Sequence, residues 1–434
     1  MNPSSAAKDG AESPALRDWS MLGLSLLLAW GMWSYVQGVM LPSERAHFEA
    51  IGQPVDIGDL YPRWHGAREL LLHGRDPYSP EVSGEIQTAY YGRPLDTVGA
   101  DRGRDEQRFV YPVYVVFFLA PTLELSFTNA QIVIRWALAI LTAWSVLLWL
   151  RALPWQPPVA VKVTLIVLTL SSPALVQGLR LQQLALLVAF LLAACAAQMV
   201  RGRLLSAGCL LACATIKPQL AFFPVLWFLI WVIGNWKQRQ RFVWGFAGTL
   251  ALLMAAGELV LPGWLWKFID GLEAYRRYVV LSSSLDFFLG RRLGTVVAVV
   301  VLSGVVVACW RWRRVGADDP RFLANLALVL ALTVTALPLL PPFNQVLLLP
   351  GVLIVLYKWN ELWASGVVIR SACRLASGIA LAIWISAGVI AVAYATGFEV
   401  KAVWLPFLLS FGAPPAVAIL LIAAPQNTTA TLSS

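Results

Sequence analysis

Residues 56–79 read DIGDLYPRWHGARELLLHGRDPYS. Charged and aromatic residues crowd this stretch, and the run before it, residues 19–41, is apolar over a length that crosses a bilayer as a helix, for which about 20 residues suffice. A polar, motif-like segment just outside an apolar span, in a chain built mostly of apolar segments, places chemistry in a surface loop of a membrane protein. Within it Leu60, Trp64, Ala67 and Leu71 recur at helical spacing, with Arg63, Arg68 and Glu69 opposite. That pattern predicts an amphipathic helix in the interface plane, closed by Gly74 in the left-handed conformation. Ser79-Pro80-Glu81 predicts the next helix, with Ser79 as N-cap, Pro80 in the first turn and Val82, Ile86 and Ala89 as its apolar stripe.

Composition extends this reading to the whole chain. Of 434 residues, 59% are hydrophobic and 13% charged, against about 25% charged in a soluble domain; mean hydropathy is +0.69. An all-α polytopic membrane protein follows. Twenty Trp and eleven Tyr suit anchoring at membrane interfaces. The net charge of +9 sits in short loops, where the positive-inside bias and anionic lipid account for it without nucleic acid. Five Cys lie in or beside apolar segments with no CxxC or zinc spacing and read as small buried hydrophobes. Residues 1–18 and 425–434 read as polar tails, and 19–41 as an uncleaved first span, too long for a signal-peptide core.

Candidate spans are 19–41, 109–125, 129–150, 159–177, 182–200, 204–216, 218–234, 242–262, 293–310, 322–338, 343–357, 373–395 and 402–424. Pro173, Pro218 and Pro338 break or kink the pattern. The basic stretches 236–241, 311–314 and 358–374 read as cytoplasmic. Loops 43–108 and 263–290, together with 338–342 and 396–401, then lie outside. These assignments conflict by one crossing, which predicts about 12 spans, with one of the short segments between 159 and 234 re-entrant or fused to its neighbour. Residues 19–424 form one domain. The 263–290 loop, rich in Trp, Tyr and basic residues, reads as a lid or rim over an acceptor groove.

Asp56 and Asp59 stand just before the predicted amphipathic helix. A carboxylate at the mouth of a membrane cavity can take the proton of an acceptor hydroxyl as that oxygen attacks a sugar carbon. A carboxylate before a helix also offsets the helix dipole. Both readings stay open for Asp59; capping or solvation suits Asp56. Arg63, one turn on, can orient the carboxylate or meet a phosphate; it can also snorkel toward headgroups, as can Arg68, which faces elsewhere. Lys217, in ATIKPQL between long apolar runs, is costly there unless a functional partner meets it, and a lipid phosphate suits a point charge on a flexible stem. Arg180, Gln182 and Gln183 in GLRLQQ can line the same cavity, as can Asn344 and Gln345. Glu258, Arg135 and Lys162, near span ends, read as structural. His47, His65 and His73 form neither HxxxH nor HExxH, so no metal is expected, and no phosphate-loop or nucleophile-elbow motif occurs.

The order of these elements — first span, acidic residue, YPRWHGARELLLHGRDPYS, FVYPVYVVFFLAP, SSPALVQGLRLQQ, a GR pair and ATIKPQ — resembles glycosyltransferase family 87, the polyprenol-phosphate-mannose-dependent mannosyltransferase group. The resemblance covers residues 19–235. It implies a GT-C fold whose first external loop is catalytic and carries interfacial helices. It also implies a polyprenyl-phosphate sugar as donor, used on the extracytoplasmic face without a nucleotide sugar or cofactor. An early acidic residue in that loop is implied as the base of an inverting displacement: Asp59 matches best by its distance to DPY, with Asp56 the alternate. Lys217 matches a residue near the donor phosphate, with Arg63 and Arg68 beside it. Tyr61, Trp64, Asp76, Tyr78 and Tyr111 are implied substrate contacts from the loop and its re-entry, and Arg180, Gln182 and Gln219 from the membrane side. GLRLQQ departs from the more familiar glycine- and glutamine-bearing form.

These features predict an integral membrane glycosyltransferase in the cytoplasmic membrane of a prokaryote, its site facing outside. It would move mannose, or another hexose or pentose, to a lipid or glycan hydroxyl, with membrane lipids as partners and no nucleic acid. The rival is a transporter or lipid flippase. Against it, the polar residues concentrate in one surface loop and no repeat is visible.

Overall fold

A computed structural model describes residues 14–50, 57–277, 282–337, 341–398 and 400–424. All regular structure among the described residues is helical. Six helices are long and apolar enough to cross a bilayer: Leu16–His47, Phe127–Ala152, Trp236–Val260, Arg291–Trp312, Val367–Ala395 and Leu405–Ala423. A further pair, Val159–Leu170 and Pro173–Arg180, is apolar enough when taken together but bends by 58° at its break, the geometry of a broken span or of a re-entrant loop. Pro173 stands at the first turn of the second piece, and the Ser172 hydroxyl accepts from the Leu175 amide at 3.4 Å, so the chain restarts a helix at the break. The protein is an integral membrane protein. Trp244, Leu252 and Leu259 face outward from the Trp236–Val260 helix, an arrangement that water penalises and lipid does not.

The 109–125 segment departs from expectation. It holds a helix of five residues, Val115–Leu119, and a 3-10 turn, Ala120–Thr122. Five helical residues rise only about 8 Å, because Pro112 and Pro121 bound the stretch. It packs instead on the Tyr61–His73 helix, where a Cβ on Gly66 would lie 2.5 Å from the Phe109 ring. Residues 109–125 thus join the bent pair Val159–Leu170 and Pro173–Arg180, which lies in the 159–234 stretch where a re-entrant or fused segment is expected, as segments that do not form a straight span.

Elsewhere small residues let helices touch. A Cβ on Gly208 would come within 2.1 Å of the Phe242 carbonyl oxygen, and one on Gly245 within 2.1 Å of that of Leu205. Leu204–Ala214 and Trp236–Val260 thus meet backbone to backbone. At one end of the bundle Arg239 donates to the carbonyls of Trp231, Arg313 and Val315 at 2.5, 2.6 and 2.7 Å, and the Trp155 and Tyr357 rings lie 6.1 Å apart. At the other end Lys267 of the Trp264–Tyr275 helix donates to Asp76 at 2.7 Å, tying the second predicted outer loop to the first.

The first loop folds largely as its sequence indicates. The Tyr61–His73 helix ends at Gly74, φ 66°. Pro80–Tyr91 begins with the Ser79 hydroxyl accepting from the Val82 amide at 3.2 Å. Leu60, Trp64, Ala67 and Leu70 are buried, with Leu71 at the margin. Glu69, placed on the polar side by periodicity, is buried, because His73 and Arg75 pair with it at 3.2 and 2.8 Å. On Pro80–Tyr91 the buried face is Val82, Ser83, Ile86 and Gln87, with Ala89 half-buried. The first helix begins at Pro14, inside the stretch read as a tail. Residues 1–13 and 425–434 lie outside the described residues, as do Asp56, Tyr278 and Pro338.

Candidate active site

Three separate stretches meet at Asp59. The residue lies in the turn before Tyr61–His73. The broken helix ends at Arg180, and the turn that follows carries Gln182 at φ 47°, a conformation that costs a non-glycine residue about 1–3 kcal/mol. This turn aims Gln183 at the loop, where its side-chain amide donates to Asp59 Oδ2. Lys217 lies in the turn between Leu204–Ala214 and Pro218–Ile233, outside every candidate span, and its Nζ donates to Gln183 Oε1 at 3.1 Å. A carboxylate only accepts and an ammonium only donates, so the amide between them has one possible orientation.

The backbone before Asp59 is held from behind. Gln131 Nε2 donates to the Ile57 carbonyl at 3.2 Å and to Gln182 Oε1 at 3.3 Å. Gly58 adopts φ 68°, and a Cβ there would sit 3.5 Å from Gln182 Oε1. Tyr90 donates to the Gly58 carbonyl at 2.5 Å.

Two cations flank the carboxylate. Arg63 stands one helical turn after Asp59, its guanidinium 4.6 Å from the centre of the Tyr111 ring. Its Nη1 is buried and has no hydrogen-bond partner among the described residues. The Lys217 ammonium is 4% exposed and lies 4.8 Å from the centre of the Phe343 ring. Burial pushes Lys217 down to about 7, with Arg63 adding to the fall and Asp59 opposing it. Holding the charged form there costs roughly 5 kcal/mol relative to water. An anion placed between Lys217 and Arg63 relieves that cost and satisfies the orphaned guanidinium nitrogen.

Asp105 adds a second carboxylate to the neighbourhood. Gln107 donates to it from its backbone and side-chain amides at 3.0 and 3.1 Å, and the Tyr91 hydroxyl holds its carbonyl at 2.7 Å. Its side chain keeps an edge open to solvent. Crowding by surrounding protein nonetheless raises its carboxyl above the ordinary value, and the nearby charge of Asp59 adds to the rise.

The structure thus brings Asp59, Arg63, Tyr111 and Lys217 together. Other sequence candidates lie elsewhere. Arg68 is 5.5 Å from the centre of the Trp64 ring and touches neither Asp59 nor Lys217 among the described residues. Tyr61 stacks on His65 at 5.3 Å and meets Phe127 edge-on at 4.9 Å. Trp64 is buried and donates to the Thr122 carbonyl at 3.2 Å, so both rings anchor the helix. Asp76 binds Lys267 and the Tyr78 amide, and the Tyr78 hydroxyl donates to the Tyr111 carbonyl at 2.5 Å; these bonds brace the DPY motif. Arg180 pairs with Glu44 at 2.6 Å, and Gln182 is fully buried behind Gly58. Gln219 is exposed on the first turn of Pro218–Ile233. The linking residue Gln183 was legible only as cavity lining. Tyr90, Asp105 and Phe343 carried no sequence signal beyond residue type.

One group among the described residues has metal-like spacing: His65, Glu69 and Glu85, their ligand atoms within 4.8 Å of one another. Arg75 pairs with both carboxylates, and His65 lies 3.0 Å from Glu85. The guanidinium supplies the positive charge that a cation would bring, so the group fits an ion-pair network better than a metal centre.

Residues 109–342 match glycosyltransferase family 87. That is more than half of the 434-residue chain, and the chain belongs to this family of glycosyltransferases. The match contains Tyr111, Gln183 and Lys217 and ends one residue before Phe343; it begins after the first loop, so Asp59 and Arg63 lie outside it, and it runs well past residue 235. No curated protein and no solved structure matches the chain.

Proposed function

We propose that this membrane glycosyltransferase takes its sugar from a polyprenyl-phosphate donor and passes it, with inversion, to a lipid or glycan hydroxyl. The observation that carries this reading is the Asp59–Gln183–Lys217 chain of hydrogen bonds beside the unpartnered guanidinium nitrogen of Arg63. Gln183 uses one of the three N–H groups of Lys217, which leaves donors for a phosphate.

The chemistry follows from the charges. The acceptor oxygen attacks the anomeric carbon while Asp59 takes its proton. The bond from that carbon to the phosphate oxygen breaks, and the electron pair leaves with the phosphate. Lys217 and Arg63 stabilise the growing negative charge, an effect worth about 3 kcal/mol per well-placed donor. Gln183 keeps base and cation in register. The side-chain charges suffice for a monophosphate leaving group, and the polyprenyl chain stays in the lipid beside the 58° break.

With 109–125 removed as a crossing, the remaining twelve candidate segments put the three most basic stretches on one side. Stretches 236–241, 311–314 and 358–374 fall on the cytoplasmic side; Asp59, Lys217 and the Trp264–Tyr275 helix fall on the extracytoplasmic side. On this basis we infer that the active site faces the extracytoplasmic side, with the cytoplasmic membrane of a prokaryote as the expected location. The transporter alternative has no observation in its favour.

The test is to incubate the purified full chain in lipid with a panel of polyprenyl-phosphate sugars and measure released polyprenyl phosphate. Release with at least one of them is expected. Turnover only with a nucleotide sugar overturns the donor assignment.

A further inference from the structure

A cavity of about 300 Å³ opens between the first loop and the Trp264–Tyr275 helix. Asp76, Ser83, Arg108, Lys267 and Asp270 line it, with Tyr78 and Phe109 at its wall. Three features distinguish it from the Asp59 site. First, its charges balance: Lys267 bonds Asp76 at 2.7 Å, Arg108 pairs with Glu106, and no cation pairs with Asp270 among the described residues. An anion has no reason to prefer such a place. Second, Ser83 is 3% exposed, and its hydroxyl has no hydrogen-bond partner among the described residues. A serine within a helix can bond back to a carbonyl one turn earlier; this one does not, and an unmet buried hydroxyl costs about 1–3 kcal/mol. Third, the half-buried Tyr78 ring, held edge to face at 5.1 Å against the buried Phe109 ring, supplies an apolar surface beside the polar groups.

Carboxylates that accept, a hydroxyl, cations that donate and an aromatic wall together match a neutral polyol ring. The volume is at the small end of ligand sites and suits one sugar ring. The wall is shared with the reaction centre: Tyr78 donates to the Tyr111 carbonyl, and the Tyr111 ring carries Arg63 on its face.

We propose that this cavity is an acceptor subsite. It binds a non-reacting sugar residue of a glycan acceptor, with Asp270 and Ser83 as its hydrogen-bonding contacts, while a neighbouring residue of the same glycan presents its hydroxyl to Asp59. The proposal rests on the glycosyl-transfer reading and narrows its acceptor to a glycan of two or more sugars.

The test is saturation-transfer NMR on the full chain in lipid nanodiscs with methyl α-mannoside, α-glucoside, α-galactoside and α-arabinofuranoside. Polyprenyl-phosphate release is measured on the same preparation, so failure of the transfer chemistry shows separately. At least one glycoside is expected to receive saturation from the wild-type chain and from Asp59→Asn, with the effect falling at least fivefold in Asp270→Asn and in Ser83→Leu, which fills the cavity. Ser83→Ala, which removes the hydroxyl and keeps the cavity open, is expected to weaken the effect less than Ser83→Leu, and an unchanged Tm in both variants separates steric blocking from misfolding. If no glycoside binds, or if binding survives Asp270→Asn and is lost in Asp59→Asn, the subsite is overturned.

Discussion

Two basic side chains are buried at opposite ends of this molecule, and their surroundings differ. Arg239, 5% exposed, donates to four backbone carbonyls, those of Trp231, Arg313, Arg314 and Val315, and its guanidinium lies 3.7 Å from the centre of the Trp231 ring. Lys217, 4% exposed, has one side-chain acceptor and one ring face. Arg239 has its acceptors within the protein. Lys217 has too few, and beside it stand an orphaned guanidinium nitrogen and a carboxylate. A buried cation satisfied by its own chain holds a fold together; one left short is a place for an anion from outside.

The largest expected effect falls at the carboxylate beside the unsatisfied cation. Asp59→Asn keeps the side-chain volume and loses the base, so transfer should fall by about 10²–10⁴-fold with expression and thermal stability unchanged. Near-normal transfer removes Asp59 from the role.

Exchanging the two cations for methionine sharpens the contrast. Lys217→Met should cut transfer by roughly 10²-fold, from lost leaving-group stabilisation, and leave Tm unchanged or higher, because a buried charge is removed. Arg239→Met should do the reverse. The carbonyls of Trp231, Arg313 and Arg314 lose the Arg239 donor, at about 1–3 kcal/mol for each left unmet, while that of Val315 keeps the Trp231 ring N–H at 2.8 Å, so Tm drops while the folded fraction keeps its turnover. Matching effects on Tm and turnover in both variants would break the comparison.

A pH profile is the next smaller effect. Lys217 titrates near 7 in the free protein and must be charged to meet phosphate, so kcat/KM for the donor should fall about tenfold per unit as pH rises above 7. Lys217→Arg, which stays charged, should flatten that limb. The linked stability change has the opposite sign. Between pH 7 and about 10.4, the ordinary lysine value, the unfolded chain holds a proton that the native lysine lacks. Stability therefore gains up to about 1.4 kcal/mol per pH unit from this group as pH rises. Thermal melts of wild type against Lys217→Met across that window measure it.

Much of this was legible in the sequence because the signals are local. The Gly74 and Ser79 caps and the amphipathic spacing around Trp64 follow from propensity within a few residues, and Lys217 is conspicuous in apolar company. What failed depended on tertiary partners. Residues 109–125 are apolar enough to span, but Pro112 and Pro121 and the close fit of Phe109 on Gly66 fold them against the first loop. The DPY motif reads as a substrate contact in the sequence, and the bonds that brace it were not legible there, because its partners, Lys267 and the Tyr111 carbonyl, are distant along the chain. Gln183 could be placed in a cavity but not between Asp59 and Lys217, since its direction depends on the left-handed turn at Gln182.

The central claim, that Lys217 and Arg63 await the phosphate of a lipid-borne sugar, is tested most directly by binding the leaving group alone. Polyprenyl phosphate is titrated into the purified full chain in nanodiscs at pH 6 and pH 9. Wild type should bind at least tenfold more tightly at pH 6, Lys217→Met should bind weakly at both, and Arg239→Lys should follow wild type. Equal affinity for wild type and Lys217→Met at pH 6 would contradict the account.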